Sequence, residues 1–324
     1  MMECHVCLEN YNEGKRLPRT LYCGHTICTQ CLNQIMKRRP LRCPYCRTYH
    51  RGSVLCPADL PLHEELIAKM AEEKESHEQC STDDPLETNQ LNVLKLREDV
   101  KKASTDGHSL WTLLPAQGGQ TRHSRVSLFS NRLHLHALQD GEPPSGPQTF
   151  PYNEIQDLQD EDFCIVFFDV SWRGNYQGRV YIVLLDHEGR TRQFKALCTG
   201  QLGPSYVGTR FLEVARKNEL GEQIWGGDYE RNDGTGGAAL PGMDRGRKNK
   251  QDVVAGLVAG FYFTGYGQDH CPSQFGIYTR DWPGYIEMSS LGTVIGGMDV
   301  INTVVRLDNI QEAFISDCGL LLCH

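Results

Sequence analysis

The 324-residue chain has no long hydrophobic run. None of its apolar stretches approaches the ~20 residues that a helix needs to cross a bilayer. Its first residues also lack the basic and then apolar pattern of a secretory signal. We therefore expect neither a membrane span nor secretion through a signal peptide, and we expect a reducing compartment, the cytoplasm or the nucleus.

Internal repeats are also lacking, so a repeat architecture is not expected. Hydrophobic residues make up 39% of the chain and charged residues 23%, a balance that favours a mostly folded protein. The length suits two domains, or three if one is small.

Fourteen cysteines stand out for an intracellular chain. Seven of them lie within the first 46 residues, and the other seven are scattered. Such a dense cluster in a reducing compartment indicates metal binding rather than disulfides.

Charge is also unevenly distributed. Residues 1–51 carry nine Lys and Arg against three Asp and Glu, a formal +6, and the rest carries −14 because the whole chain is −8. Thiolates around metal ions would reduce the local positive charge. This balance does not require nucleic acid and suits an acidic protein surface at least as well, so we do not expect a nucleic-acid partner.

Composition divides the chain into four segments. The first is rich in cysteine, the second is a helical and charged linker, the third is a short strand-rich stretch of unknown type, and the fourth is rich in glycine and strands. Helices are expected over Leu60–Glu75 and Leu86–Ala103. The four segments are residues 1–51, 52–107, 108–160 and 161–324.

Eight residues of the first segment have the spacing of zinc ligands. Two residues between paired cysteines let a tight turn direct both sulfurs at one ion. Eight ligands suffice for two tetrahedral zinc ions with no open position, which indicates a structural role. The eight are Cys4, Cys7, Cys23, His25, Cys28, Cys31, Cys43 and Cys46.

This order, seven cysteines with histidine fourth, resembles the RING finger family. The resemblance implies interleaved ligands. Cys4, Cys7, Cys28 and Cys31 would hold one ion, while Cys23, His25, Cys43 and Cys46 would hold the other.

The resemblance further implies docking of a ubiquitin-conjugating enzyme in a shallow groove, from which ubiquitin passes to a target lysine. Arg47, directly after the last ligand, matches the family's linchpin arginine, whose forked donors bridge the enzyme and ubiquitin. The expected groove residues are Val6, Leu8, Ile27, Leu32 and Pro44.

Strands are expected in the second half at Phe163–Val170 and Gly178–Leu185. Blocks such as Val166–Val170, Gly226–Gly237 and Ile315–Gly319 follow one another as in the cyclophilin family, which this half resembles. The resemblance implies a closed barrel of eight antiparallel strands with two helices. The expected architecture is thus multidomain: a small α+β zinc-bound finger, a helical linker and a mostly-β closed barrel.

The expected isomerase pocket of the barrel departs from that family. Glu213 stands where the catalytic arginine belongs, so a carboxylate replaces the cation that the reaction needs. Trp225 replaces a glutamine, and Gly276 removes the aromatic floor of the proline pocket. We therefore expect no prolyl isomerase activity, although the altered pocket can still recognise a partner. Its residues are Glu213, Trp225, Phe275, Gly276, Trp282 and Met288.

Together these features predict a RING-type ubiquitin ligase with two zinc ions and a degenerate cyclophilin-like domain for partner recognition. Its expected partners are a ubiquitin-conjugating enzyme, ubiquitin and a protein substrate. Two alternatives stay open: a prolyl isomerase with an accessory zinc finger, and a non-enzymatic scaffold folded by zinc. His134 and His136 alternate on one predicted strand and are expected to be surface residues rather than metal ligands.

Overall fold

The structure is a computed structural model in which the chain divides into two compact units. The first covers residues up to Asp99, and the second is Val100–Leu322. No helix within the described ranges is long and apolar enough to cross a membrane. The structure describes residues 3–37, 41–50, 54–75, 85–115, 121–143, 149–156, 158, 163–243, 249–260 and 272–322.

The first unit begins with two small hairpins and a helix. The hairpins pair β1 (Glu3–Cys4) with β2 (Glu9–Asn10) and β3 (Pro18–Thr20) with β4 (Thr26–Cys28). Helix α1 (Thr29–Met36) follows at once because the Cys28 sulfur accepts the backbone N–H of Cys31 and so caps its N-terminus. A small core packs around α1, where the fully buried side chains are Leu21, Ile27, Leu32 and Met36.

Two further helices follow the finger. Helix α2 spans Glu64–Glu75 and starts four residues later than the predicted Leu60. Two features explain the late start: the chain first makes a 3-10 turn at Pro57–Asp59, and His63 Nδ1 then accepts the Leu66 N–H at 3.4 Å.

Helix α3 (Pro85–Thr105) is close to its predicted limits. It ends where Gly107 adopts φ +74°, a left-handed conformation that glycine tolerates best.

The second unit begins with strands β5 (Leu110–Pro115), β6 (Thr121–Phe129) and β7 (Arg132–His136). Ser130 and Asn131, which join β6 to β7, both have positive φ, as a two-residue hairpin turn requires. The short strands β8 (Gln139–Asp140) and β9 (Thr149–Pro151) and the helix α4 (Tyr152–Gln156) complete this part.

The described residues from 163 to 322 form ten strands, two α-helices and a 3-10 turn at Ile310–Glu312. The helices are α5 (Gly189–Thr199) and α6 (Met298–Val304). The strands are β10 (Ile165–Trp172), β11 (Asn175–Leu184), β12 (Phe211–Ala215), β13 (Gln223–Gly226), β14 (Gln251–Asp252), β15 (Leu257–Gly260), β16 (Phe275–Tyr278), β17 (Ile286–Glu287), β18 (Ser290–Gly296) and β19 (Ala313–Leu322).

Eight of these strands are neighbours in the order β12-β13-β16-β15-β18-β11-β10-β19, and the neighbouring pairs are antiparallel. The chain just before β12 also reaches β19. The Gly208 N–H donates to the Ile315 carbonyl at 2.7 Å, and the Ile315 N–H donates to the Thr209 carbonyl at 2.8 Å. Phe168, Phe194, Tyr206 and Phe275 are fully buried and in mutual contact, with ring centroids 5.3 to 5.9 Å apart.

The other half of β19 binds the stretch that resembled no family. Strand β7 pairs with β19 from Leu133 opposite Leu322 to His136 opposite Gly319, and the sheet continues through β6 and β5 to β9. A side chain at Gly319 would overlap the Leu135 carbonyl oxygen, so glycine permits this close pairing. The strand-rich stretch therefore extends the sheet of the second unit.

Candidate functional site

The eight predicted ligands lie in two groups, each with its donor atoms within 4.8 Å of one another. One group contains Cys4, Cys7, Cys28 and Cys31, and the other contains Cys23, His25, Cys43 and Cys46. These are the two interleaved sets that the resemblance implies. Because each set takes residues from separate parts of the sequence, metal binding would tie the hairpins and α1 together.

The donor geometry fits zinc. A tetrahedral zinc ion with Zn–S bonds of about 2.3 Å holds neighbouring sulfurs about 3.8 Å apart, and a sulfur and a nitrogen about 3.6 Å apart. The Cys7 and Cys28 sulfurs are 3.9 Å apart, and the Cys23 sulfur lies 3.5 Å from His25 Nδ1. The two clusters are thus compatible with two zinc ions.

Two thiols of the first cluster are buried in a way that disfavours their thiolate forms. Burial raises the pKa of Cys28 to about 11 and that of Cys31 further. In the absence of a cation these two thiols keep their protons at neutral pH. Bound zinc supplies the charge that stabilises the thiolates and, with four protein ligands at each ion, acts as a structural crosslink.

The first and last cysteine turns have the same backbone geometry. The Leu8 N–H donates to the Cys4 carbonyl at 2.7 Å, and the Arg47 N–H donates to the Cys43 carbonyl at 2.9 Å. Both residues have φ +59° and directly follow a ligand. Leu8 is 71% exposed, and Arg47 is exposed as well, so each turn projects a side chain into solvent.

The predicted groove residues fall into two classes. Val6, Leu8 and Pro44 are exposed and available to a partner. Ile27 and Leu32 are fully buried, so their expected place in the groove is wrong: they form the core beneath α1.

Ile35 is an apolar residue of α1 that was not named from the sequence. It lies on α1, three residues after Leu32, and is half-buried, whereas Met36 is fully buried. The 3.6-residue helical period does not separate the two, because residues three and four positions after Leu32 both lie near its face of the helix.

Three expected pocket residues of the second unit lie in one row. Glu213 on β12 pairs with Trp225 on β13, and Trp225 pairs with Gly276 on β16. Glu213 is exposed and Trp225 is half-buried. The Trp225 ring and the Gln223 side chain lie 3.4 and 3.0 Å from where a Cβ of Gly276 would be, so they occupy part of the space of the missing aromatic side chain.

Phe275 is fully buried among Phe168, Phe194 and Tyr206, so its predicted place in the pocket is wrong. Because side chains alternate along a strand, the Phe275 ring lies on one face of β16 and a side chain at position 276 would lie on the other.

Trp282 and Met288 are not among these paired strand positions. The Trp282 indole stacks on Tyr285 at 4.1 Å and packs against a buried cluster of Val253, Leu257, Ala259 and Tyr278. The Arg216 guanidinium lies 4.1 Å from the Trp282 ring and its Nε donates to the Leu220 carbonyl. The Arg216 side chain is thus already occupied by its contacts with Trp282 and Leu220. Met288 is 37% exposed.

The expectation that His134 and His136 are surface residues is wrong. They are 0% and 3% exposed; His134 Nε2 lies 3.0 Å from the Tyr181 hydroxyl on β11, and His136 Nδ1 lies 2.7 Å from Asp317 Oδ2 on β19. Among the described residues, the metal-ligand groups are the two in the N-terminal finger.

Comparison with known proteins places the first unit. Residues 2–47 match the family described as the ring finger domain. A 48-residue stretch is 42% identical to human "E3 ubiquitin-protein ligase TRIM32", covering 14% of this chain and 7% of that protein. A 157-residue stretch is 29% identical to "E3 ubiquitin-protein ligase RNF152" of Ailuropoda melanoleuca, covering 47% of this chain and 72% of that protein.

The same name recurs in Gallus gallus, where "E3 ubiquitin-protein ligase RNF152" is 44% identical over 48 residues, 14% of this chain and 23% of that protein. The chain thus spans only 7% of the length of the first of these relatives. The stretch that matches this family, residues 2–47, contains all eight ligands of the two clusters. The N-terminal part of this chain is a RING finger.

Proposed function

We propose that the protein is a RING-type ubiquitin ligase that docks a ubiquitin-conjugating enzyme and promotes ubiquitin transfer to a target lysine. The observation that carries the proposal is an exposed Arg47 directly after the last ligand of a RING finger with two four-ligand clusters. Relatives named as E3 ubiquitin-protein ligases support it.

The exposed residues of the two cysteine turns provide the docking surface. Val6 and Leu8 offer apolar contact from the first turn, and Pro44 offers it from the last. Ile35, half-buried on α1, extends this surface. Zinc-held turns fix the backbone at these residues, so the finger loses little backbone entropy when the partner binds.

Arg47 acts on the transfer step. Its guanidinium carries five donors in a planar fork, which can bridge two protein surfaces at once. Bridging the conjugating enzyme and its thioester-linked ubiquitin would restrict the thioester to poses that a lysine amine can attack. The finger contributes no nucleophile, and its catalysis consists of positioning.

The second unit is proposed to be a cyclophilin-like barrel. Supporting this are the antiparallel order of eight strands, the two helices and the hydrogen bonds between Ile315 and the Gly208–Thr209 backbone. Glu213 places a carboxylate in the row, and the Arg216 guanidinium already contacts the Trp282 ring, so neither of these two described residues offers a free cation to a twisting amide. Its role would be to recognise a protein partner.

An autoubiquitination assay with a panel of conjugating enzymes tests the proposal. The intact zinc-loaded chain should form polyubiquitin, and the product should vanish in Cys23→Ala. The matched control is Cys56→Ala, which removes a buried cysteine outside both clusters and should keep the activity.

Silence with every conjugating enzyme would favour the zinc-folded scaffold instead. Acceleration of proline isomerisation by the full chain would favour the isomerase, and a folded Glu213→Ala variant would show whether the proposed pocket is responsible.

A further inference from the structure

A chain of three hydrogen-bonded side chains lies in the second unit, outside every site described above. The Ser127 Oγ is 2.6 Å from His136 Nε2, and His136 Nδ1 is 2.7 Å from Asp317 Oδ2. These distances lie within the range found between a nucleophile, its base and the group that orients the base.

Three adjacent strands bring these three side chains together. Ser127 lies on β6, His136 on β7 and Asp317 on β19. Ser127 pairs with His134, and His136 pairs with Gly319, two residues after Asp317. Because residues two apart share a face of the sheet, all three side chains project from the same face.

The surroundings of the three side chains favour a neutral His136 and an ionised Asp317. Burial opposes ionisation of Asp317, but the hydrogen bond with His136 and the Arg125 guanidinium outweigh it and lower the Asp317 pKa. Burial lowers the His136 pKa against the opposing effect of Asp317. The carboxylate therefore fixes the proton on Nδ1, which leaves Nε2 free to accept the Ser127 O–H.

We propose that Ser127 is an activated nucleophile that hydrolyses carboxylic esters, with His136 as its general base. The Ser127 oxygen forms a bond to the ester carbonyl carbon while its proton moves to His136 Nε2. The ester C–O bond then breaks and the alcohol leaves with that proton. Water, deprotonated by the same nitrogen, releases the acid and restores the serine. Asp317 is a positioning residue that holds the imidazole in the reactive tautomer.

The surroundings of Ser127 admit a substrate and suggest its character. Ser127 is only partly buried, and the residues two positions away on the same face are Arg125 and Phe129. The Arg125 side chain is 42% exposed and Phe129 is 45% exposed. An ester with an apolar acyl group could pack on Phe129, while Arg125, which is paired with Asp317 at 3.3 Å, borders the other side of Ser127.

Treating the full zinc-loaded chain with a fluorophosphonate tests the proposal directly. One adduct should form, and peptide mass spectrometry should place it on Ser127. Ser127→Ala should abolish labelling, whereas Ser130→Ala, which removes an exposed serine of the neighbouring turn, should leave it unchanged. Hydrolysis of p-nitrophenyl acetate should fall with the labelling.

Asp317→Asn separates chemistry from structure, because it keeps the shape of the side chain but no longer fixes the tautomer. It should slow labelling at least about 100-fold while the protein remains folded by circular dichroism. The alternative is a purely structural network that ties β6 and β7 to β19. A folded wild-type chain that gains no adduct on Ser127 would establish that alternative and overturn the proposal.

Discussion

The RING finger and the second unit gain their stability from different sources. In the finger, a small core around Ile27 and Leu32 is joined by eight clustered metal ligands. In the second unit, which is built on a large sheet, a contiguous aromatic cluster that includes Phe168 and Phe275 is fully buried. A segment as short as the finger cannot bury enough apolar surface to fold without metal, whereas a unit of more than 200 residues can.

The finger and the second unit also expose their surface residues in different ways. The finger projects Leu8 and Arg47 from turns whose backbone is fixed next to a metal ligand. The second unit exposes Glu213 along a strand, where hydrogen bonding to β13 fixes the backbone. Loss of zinc should therefore remove the first surface and leave the second in place.

Chelation should give the largest effect. A strong zinc chelator should unfold the finger and leave the second unit folded. Every tryptophan of the chain lies within Val100–Leu322, so tryptophan fluorescence reports on the second unit alone. We expect hydrogen-exchange protection to disappear from residues 3–37 with no change in tryptophan emission. Protection that persists after complete removal of zinc would contradict the comparison.

A pair of leucine variants should distinguish core from surface within the finger. Leu32→Ala should lower the free energy of unfolding by about 2–5 kcal/mol, because it leaves a cavity under α1. Leu8→Ala removes a side chain that is 71% exposed and should change stability by less than about 0.5 kcal/mol while weakening binding of the conjugating enzyme. Denaturant titration and calorimetry measure the two quantities, and equal destabilisation by both variants would be inconsistent with this division.

A methyl group at Gly319 should test the pairing of β7 with β19. Gly319→Ala places a Cβ against the Leu135 carbonyl oxygen and should cost about 1–3 kcal/mol. Faster hydrogen exchange in β7 would locate the damage. Gly276→Ala is the matched control, since the atoms nearest its Cβ belong to the side chains of Gln223 and Trp225 rather than to the backbone, so it should cost less. A larger loss in the control would refute this assignment.

Acid should destabilise the second unit more gradually. Burial lowers the pKa of both His134 and His136. The positive charge of Arg179 lowers the His134 pKa further, and the His136 pKa stays lowered despite Asp317. Below pH ~6.5 the unfolded chain binds protons that the folded chain does not. The free energy of unfolding therefore decreases as the pH is lowered, by up to about 1.4 kcal/mol per pH unit for each histidine.

Urea unfolding monitored by tryptophan fluorescence between pH 5 and 6.5 measures this slope. His134→Gln should reduce the slope, and His108→Gln, at an exposed position, should not. A slope that His134→Gln leaves unchanged would rule out the buried histidine as its source.

The metal centres were the most predictable part of the molecule. Two-residue spacing between cysteines follows from the geometry of the ion, so Cys4 with Cys7 and Cys43 with Cys46 could be recognised without any structure.

Burial was harder to predict, because it depends on what covers a face. The spacing of α1 did not show which side of so short a helix meets the core, so Leu32 was placed on the surface and Ile35 was overlooked. The alternation at His134 and His136 correctly put both on one sheet face. Their burial depends on side chains from distant strands such as Phe167, which packs edge-on against both rings.

Ubiquitin discharge from a charged conjugating enzyme to free lysine tests the central claim most directly, because it needs no substrate protein. The zinc-loaded chain should accelerate discharge, and Arg47→Ala should remove most of the acceleration while keeping two zinc ions. Arg42→Ala, which removes another exposed arginine of the finger, should retain it. No acceleration by the intact chain with any conjugating enzyme, or full acceleration by Arg47→Ala, would contradict the account.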